Sequence, residues 1–160
     1  GDIRSAVRDG THGEARANML LGAMFAGQAF ANSPVAAVHA LAYPVGGHYH
    51  VPHGLSNALV LPHVLRFNAE ACGPAYAEIA PCAFPWLAEV PAARRAEAFA
   101  EALEHLCEEI GLARRLRDVG IPREDLPRLA RDAMKQTRLL VNNPRPLSEA
   151  DALSIYEAAW

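Results

Sequence analysis

Residues 39–68 read HALAYPVGGHYHVPHGLSNALVLPHVLRFN, and five of the seven histidines fall in this stretch. A neutral imidazole is the commonest protein ligand for a borderline divalent metal. Leu55, Leu59, Leu61 and Val64 recur at helical spacing after Pro52-His53-Gly54. That predicts a helix opening at Pro52, with a kink or break at Pro62. Upstream, Ser33-Pro34 starts a helix whose apolar face is Val38, Leu41 and Ala42. It is expected to stop within Tyr43-Pro44-Val45-Gly46-Gly47, where a proline meets two permissive glycines. A loop from Gly46 to Val51 then reverses the chain. His39 falls near the end of the first helix and His53 in the first turn of the next. The reversal therefore brings both imidazoles to one pocket. Two imidazoles are only part of a catalytic metal site, which usually has three protein ligands and an open position. On spacing alone the pair also fits ordinary hydrogen-bonded or solvated histidines, the commoner case. His48 and His50 alternate around Tyr49 and are expected to face solvent. His63 reads as structural, and His12 and His105 have no partner in sequence.

Working outward, the signal is helical nearly throughout. Ala and Leu dominate, and β-branched residues never alternate over a useful window. Thr11 and Glu14 have the spacing of a capping box, before a helix that should run to about Phe30. Its residues Leu20, Leu21, Met24, Phe25 and Phe30 cover most faces, which predicts a central helix. Gly22 and Gly27 inside it are costly in a helix and predict close packing against a neighbour. Pro74, Pro81, Pro85 and Pro91 punctuate residues 68–91, where short helices and loops are expected. Ala92 to Ile110 is amphipathic, with Phe99, Leu103, Leu106 and Ile110 on one side, and Gly111 ends it. A short helix over Arg114–Val119 ending near Gly120, a helix over Glu124–Leu140 and a last helix capped at Ser148-Glu149-Ala150-Asp151 complete the reading. The fold class is all-α, a single multi-helix domain.

Composition removes several classes of function. With 51% hydrophobic and 21% charged residues among 160, disorder is excluded. The net charge of -3 comes from 15 basic and 18 acidic residues. The arginines are interleaved with acids, so no basic surface for nucleic acid forms. The longest nearly apolar run, Met19 to Phe30, is too short to span a bilayer. Cys72, Cys82 and Cys107 have no CxxC spacing, which points to a reducing, cytoplasmic setting. Cys107 lies two residues after His105, a spacing that points the side chains apart on a helix, so no Cys–His nucleophile is expected. There is no glycine-rich phosphate loop and no Gly-x-Ser-x-Gly elbow.

Residues 39–68 resemble the iron-containing alcohol dehydrogenase family, which includes lactaldehyde and maleylacetate reductases. The signature is His39, a glycine-containing turn, Pro52-His53-Gly54 and an apolar helix ending in Asn68. Asn143-Pro144-Arg145-Pro146-Leu147-Ser148 and the final Trp160 extend the resemblance more loosely over essentially the whole chain. The resemblance implies that residues 1–160 are the C-terminal all-helical metal-binding domain. A nucleotide-binding domain and the first metal ligands, an aspartate and a histidine, are then expected upstream of Gly1; no Asp-x-x-x-His occurs in the chain. It further implies that His39 and His53 ligate a divalent metal, Fe2+ or Zn2+. The complete enzyme would use NAD(P) to interconvert a small-molecule alcohol and carbonyl, or reduce a maleylacetate-like enone, as a homodimer. The domain alone would be inactive. Tyr43 stands where many relatives have a second histidine. With a reference pKa near 10, a tyrosine donates a hydrogen bond but is a poor proton shuttle at neutral pH. The alternative from another class is a stand-alone helical module that binds a metal or a partner without redox activity. If the first domain is missing, an apolar face is expected to be exposed and to favour self-association.

Overall fold

The computed structural model describes residues 1–160, and its regular structure is entirely helical. Eight α-helices follow one another: α1 (Asp2–Arg8), α2 (Gly13–Asn32), α3 (Ala37–Tyr49), α4 (His53–Ala83), α5 (Ala92–Glu109), α6 (Leu126–Ala133), α7 (Thr137–Leu140) and α8 (Glu149–Ala159). Short 3₁₀ turns at Pro85–Glu89, Leu116–Val119 and Arg123–Asp125 connect them. The main core forms where α3, the first half of α4, α6 and α8 meet, with Leu41, Val45, Val60, Leu129 and Tyr156 closed off from solvent. A smaller cluster, Leu65, Phe84, Leu87 and Phe99, joins the second half of α4 to α5.

Several expected ends are as the residues foretold. Gly111 closes α5 at φ 78°, a conformation that suits glycine, while the Leu112 N–H donates to the Cys107 carbonyl at 2.9 Å. Ser148 and Asp151 form a reciprocal cap on α8, each side chain accepting from the other's backbone N–H at 3.2 and 2.9 Å. Gly120, at φ 81°, ends the 3₁₀ turn after Val119.

Other expectations are corrected. Thr11 does not cap α2: its N–H and hydroxyl both donate to Asp9, and His12 Nδ1 caps instead, accepting from the Ala15 N–H at 3.1 Å. α2 is not central. Ala15 is its one buried residue, and Leu20 is 72% exposed. A Cβ added at Gly22 or Gly27 meets nothing within 4 Å, so within these residues no neighbour explains the glycines.

α3 starts at Ala37 and does not stop at Pro44; it continues through Gly46 and Gly47 to Tyr49. An interior proline costs about 3 kcal/mol, because it removes one hydrogen bond and crowds a carbonyl. Burying Leu41 and Val45 against the core returns about 1.5–3 kcal/mol each, so packing wins. α4 likewise runs through Pro62; over residues 68–83 no loop opens, but two helical stretches meet across a kink, so the expected interruption is there in part. Its irregular residue is Cys72 (φ -132°, ψ 20°), in the turn crowded by the ring of Pro74. The expected helix over 124–140 is three pieces. Bonds from Lys135 N–H to Asp132 and from Gln136 N–H to Ala133 tighten the chain and separate α6 from α7.

Candidate functional site

His39 lies in the first turn of α3, not near its end, and Tyr43 follows one turn later on the same face. His53 is the first residue of α4. The His39 and His53 ring centroids are 5.1 Å apart, with the planes at 51°. The Tyr43 ring completes the group, 6.3 Å from His39 and 6.1 Å from His53. His39 is half-buried, while Tyr43 and His53 are open to solvent.

The reversal that joins the two helices takes only residues 50–52. His50 turns the chain in the left-handed conformation, φ 55°. Gly46 then lets the start of α4 close onto α3. A Cβ there would stand 3.3 Å from the Val51 carbonyl oxygen and 3.6 Å from Ser56 Oγ. Ser56 is fully buried, and its hydroxyl lies 3.2 Å from the Val51 and Pro52 carbonyls, to which it donates. This packing, and not a loop at Gly46, carries His53 back alongside His39.

The electrostatics favour neutral imidazole at His39. Burial holds its pKa below the ordinary histidine value, and the nearby His53 lowers it further. A lone pair is therefore available at neutral pH. The spacing also suits a shared ion. A metal–nitrogen bond of about 2.0–2.1 Å at a tetrahedral centre puts two imidazole centroids about 5 Å apart. No third His, Cys, Asp or Glu joins them to make a complete set within the chain. The residues present fit part of a coordination sphere.

Asn57, one turn after His53, was not singled out by sequence reasoning. Its Nδ2 lies 3.0 Å from His53 Nε2 and donates to the His53 carbonyl oxygen at 3.1 Å. Its Oδ1 is buried without a hydrogen-bond partner. The spacing of four places it on the His53 face of the helix, but its role shows only in what it touches.

The remaining histidines stand apart. His48 is solvent-exposed as expected, but its Nε2 also pairs with Asp132 at 2.7 Å, tying α3 to α6 about 13 Å along the helix from His39. The Tyr49 hydroxyl donates to Asp125 beside it. His63 lies in a different cleft with Glu104, Cys107, Arg117 and Trp160. Burial lowers the His63 pKa, against the opposing pull of Glu104. Burial, and next Glu104, raises that of the Cys107 thiol, which leaves a poor nucleophile. His105 is exposed and faces Glu108 at 3.7 Å.

Comparison with known proteins bears on this geometry. The model of the Fe-containing alcohol dehydrogenase family, C-terminal, matches residues 1–160. The long-chain-alcohol dehydrogenase 1 of Geobacillus thermodenitrificans is 42% identical over 161 residues, covering 99% of this chain and 40% of that protein. The lactaldehyde reductase of Escherichia coli is 36% identical over 160 residues, 99% of this chain and 42% of that protein. A crystal structure of 1,3-propanediol oxidoreductase superposes with a TM-score of 0.93 at 34% identity, over 99% of this chain and 41% of that one. The chain thus spans about two fifths of the length of the relatives it matches.

Proposed function

The chain belongs to the Fe-containing alcohol dehydrogenase family, and on that premise we propose that it is the metal-binding helical part of an oxidoreductase interconverting an alcohol and a carbonyl with NAD(P). The observation that carries this reading is the His39–His53 pair, 5.1 Å between centroids, on the faces of two helices locked together at Gly46. A divalent metal, Fe2+ or Zn2+, held there supplies Lewis-acid polarisation of the substrate oxygen. The other ligands and the dinucleotide-binding domain come from parts of the protein outside these residues, and the working unit is a homodimer.

The chain's own residues do three things in this reading. His39 and His53 present imidazole nitrogens, and burial favours the neutral form of His39. The packing of α3 on α4 fixes their separation, so little ordering is left to be done on binding. Tyr43 stands beside both rings with its hydroxyl unengaged by any other side chain, and it offers a hydrogen bond to the substrate oxygen.

The test is made on the intact protein. His39→Ala and His53→Ala are each expected to lose bound metal and to cut dinucleotide-dependent alcohol oxidation by about a hundredfold or more. If both variants keep full metal content and activity, the ligand assignment is wrong.

A further inference from the structure

Asn57 Oδ1 is the one buried side-chain polar atom of the chain that lacks a partner. Such an atom is costly, and it needs a reason. Rotating the amide by half a turn would put Oδ1 against the His53 carbonyl, oxygen against oxygen, so Nδ2 stays where it is, 3.1 Å from that carbonyl. The same Nδ2 is 3.0 Å from His53 Nε2. An amide N–H can only donate, so Nε2 must accept, and the proton of the neutral imidazole must sit on Nδ1. The stranded Oδ1 is the consequence of holding the amide in that orientation.

We infer that Asn57 is a positioning residue that keeps the proton of His53 on Nδ1 and thereby directs a divalent metal to Nε2. This rests on the reading of His53 as a metal ligand given above. Asn57 holds the Nε2 lone pair with one neutral hydrogen bond, which a metal–nitrogen bond displaces easily. The arrangement differs from the usual one, in which an outer acceptor takes the N–H of a bound histidine. Here the outer residue marks the nitrogen to be bound before the metal arrives.

The experiment is nitrogen NMR on the intact protein labelled with ¹⁵N-histidine, first stripped of metal by a chelator and then titrated with Zn2+. In the stripped wild type, His53 is expected as the Nδ1–H tautomer. Asn57→Leu keeps the shape and removes the donor, and should shift the tautomer ratio toward Nε2–H by about fivefold, the equivalent of one net hydrogen bond. Asn57→Asp can only accept, and should place the proton on Nε2 outright. On adding Zn2+ to the wild type, the Nε2 resonance should show the coordination shift. An Nε2–H tautomer in the stripped wild type, an unchanged ratio in both variants, or Zn2+ at Nδ1 overturns the inference. Should Asn57→Leu fail to fold, Asn57→Asp and the wild-type titration still decide it. If the wild type has the Nδ1–H tautomer, the variants shift it, and no Zn2+ binds, the tautomer control stands. What falls in that case is the metal-ligand reading on which the function was proposed, and with it the claim that a metal is directed to Nε2.

Discussion

α2 and α3 are alike in sequence and opposite in fate. Both are rich in Ala, and both contain glycines: Gly13, Gly22 and Gly27 in α2, Gly46 and Gly47 in α3. α3 buries Ala40, Leu41, Ala42 and Val45 between α4, α6 and α8. α2 leaves Leu20, Leu21, Met24, Phe25 and Phe30 in solvent and rests mainly on α1. Apolar content tells how much surface a helix is prepared to bury. It does not tell which partner buries it. For α3 the partners lie within the chain, and for α2 they do not.

The sharpest way to break this contrast is to truncate matched leucines in the isolated 160-residue chain. Leu41→Ala, at a fully buried position, is expected to cost about 2–5 kcal/mol in urea unfolding. Leu20→Ala should stay within about 0.5 kcal/mol. Equal losses at the two sites would show that α2 is covered in solution. At protein concentrations well above those of the unfolding experiment, so large an apolar face is expected to drive self-association of the isolated chain. Leu20→Glu combined with Phe25→Glu should return it to a monomer in sedimentation velocity.

The glycines sharpen the same contrast with a smaller effect. Gly27→Ala in the isolated chain should stabilise by about 0.5–1 kcal/mol, since helix propensity improves and the new methyl meets nothing. Gly46→Ala gains the same propensity, but its methyl presses on the Val51 carbonyl oxygen at 3.3 Å. That neighbour is backbone and yields little, so the gain should vanish or reverse by about 1 kcal/mol. Any shift of α4 to relieve the contact also moves His53 away from His39. If Gly46→Ala is stabilising and leaves the two imidazoles in place, the close approach does not set the site.

This also explains which features were legible in the sequence. Caps and stops were readable where one residue's chemistry decides them, as at Gly111, Gly120 and Ser148. The histidine pair was readable because His39 and His53 flank a reversal, although the position of His39 within α3 was not. Prolines misled. Pro44 and Pro62 signal a break locally, yet their helices continue because the surrounding side chains are buried. That balance is set by tertiary packing, which no local window contains. The role of α2 failed for the opposite reason, since its period pointed to burial against something the 160 residues do not supply. Asn57 was overlooked because an amide carries no charge or motif, and only its neighbours in space reveal what it does.

The smallest expected effect concerns the second cluster, where α4 and α5 are joined by charge as well as by packing. Arg66 grips Glu104 with two bonds, at 2.7 and 2.9 Å, and Glu97 with a third at 2.7 Å. Arg66 holds the Glu104 carboxyl below its ordinary pKa of 4.5. A carboxylate with a depressed folded pKa stabilises the fold above its unfolded value, and that contribution fades as pH falls through the folded one. The window therefore lies below about pH 4.5. The side chains are about one-third exposed, so solvent screening limits the contribution to about 1 kcal/mol or less. Glu104→Gln should thus lower stability slightly at pH 7 and match the wild type near pH 3, in parallel urea titrations. A deficit that persists undiminished at low pH would assign the joint to packing alone. It would then resemble α3 in its core, where burial holds the helix without help from charge.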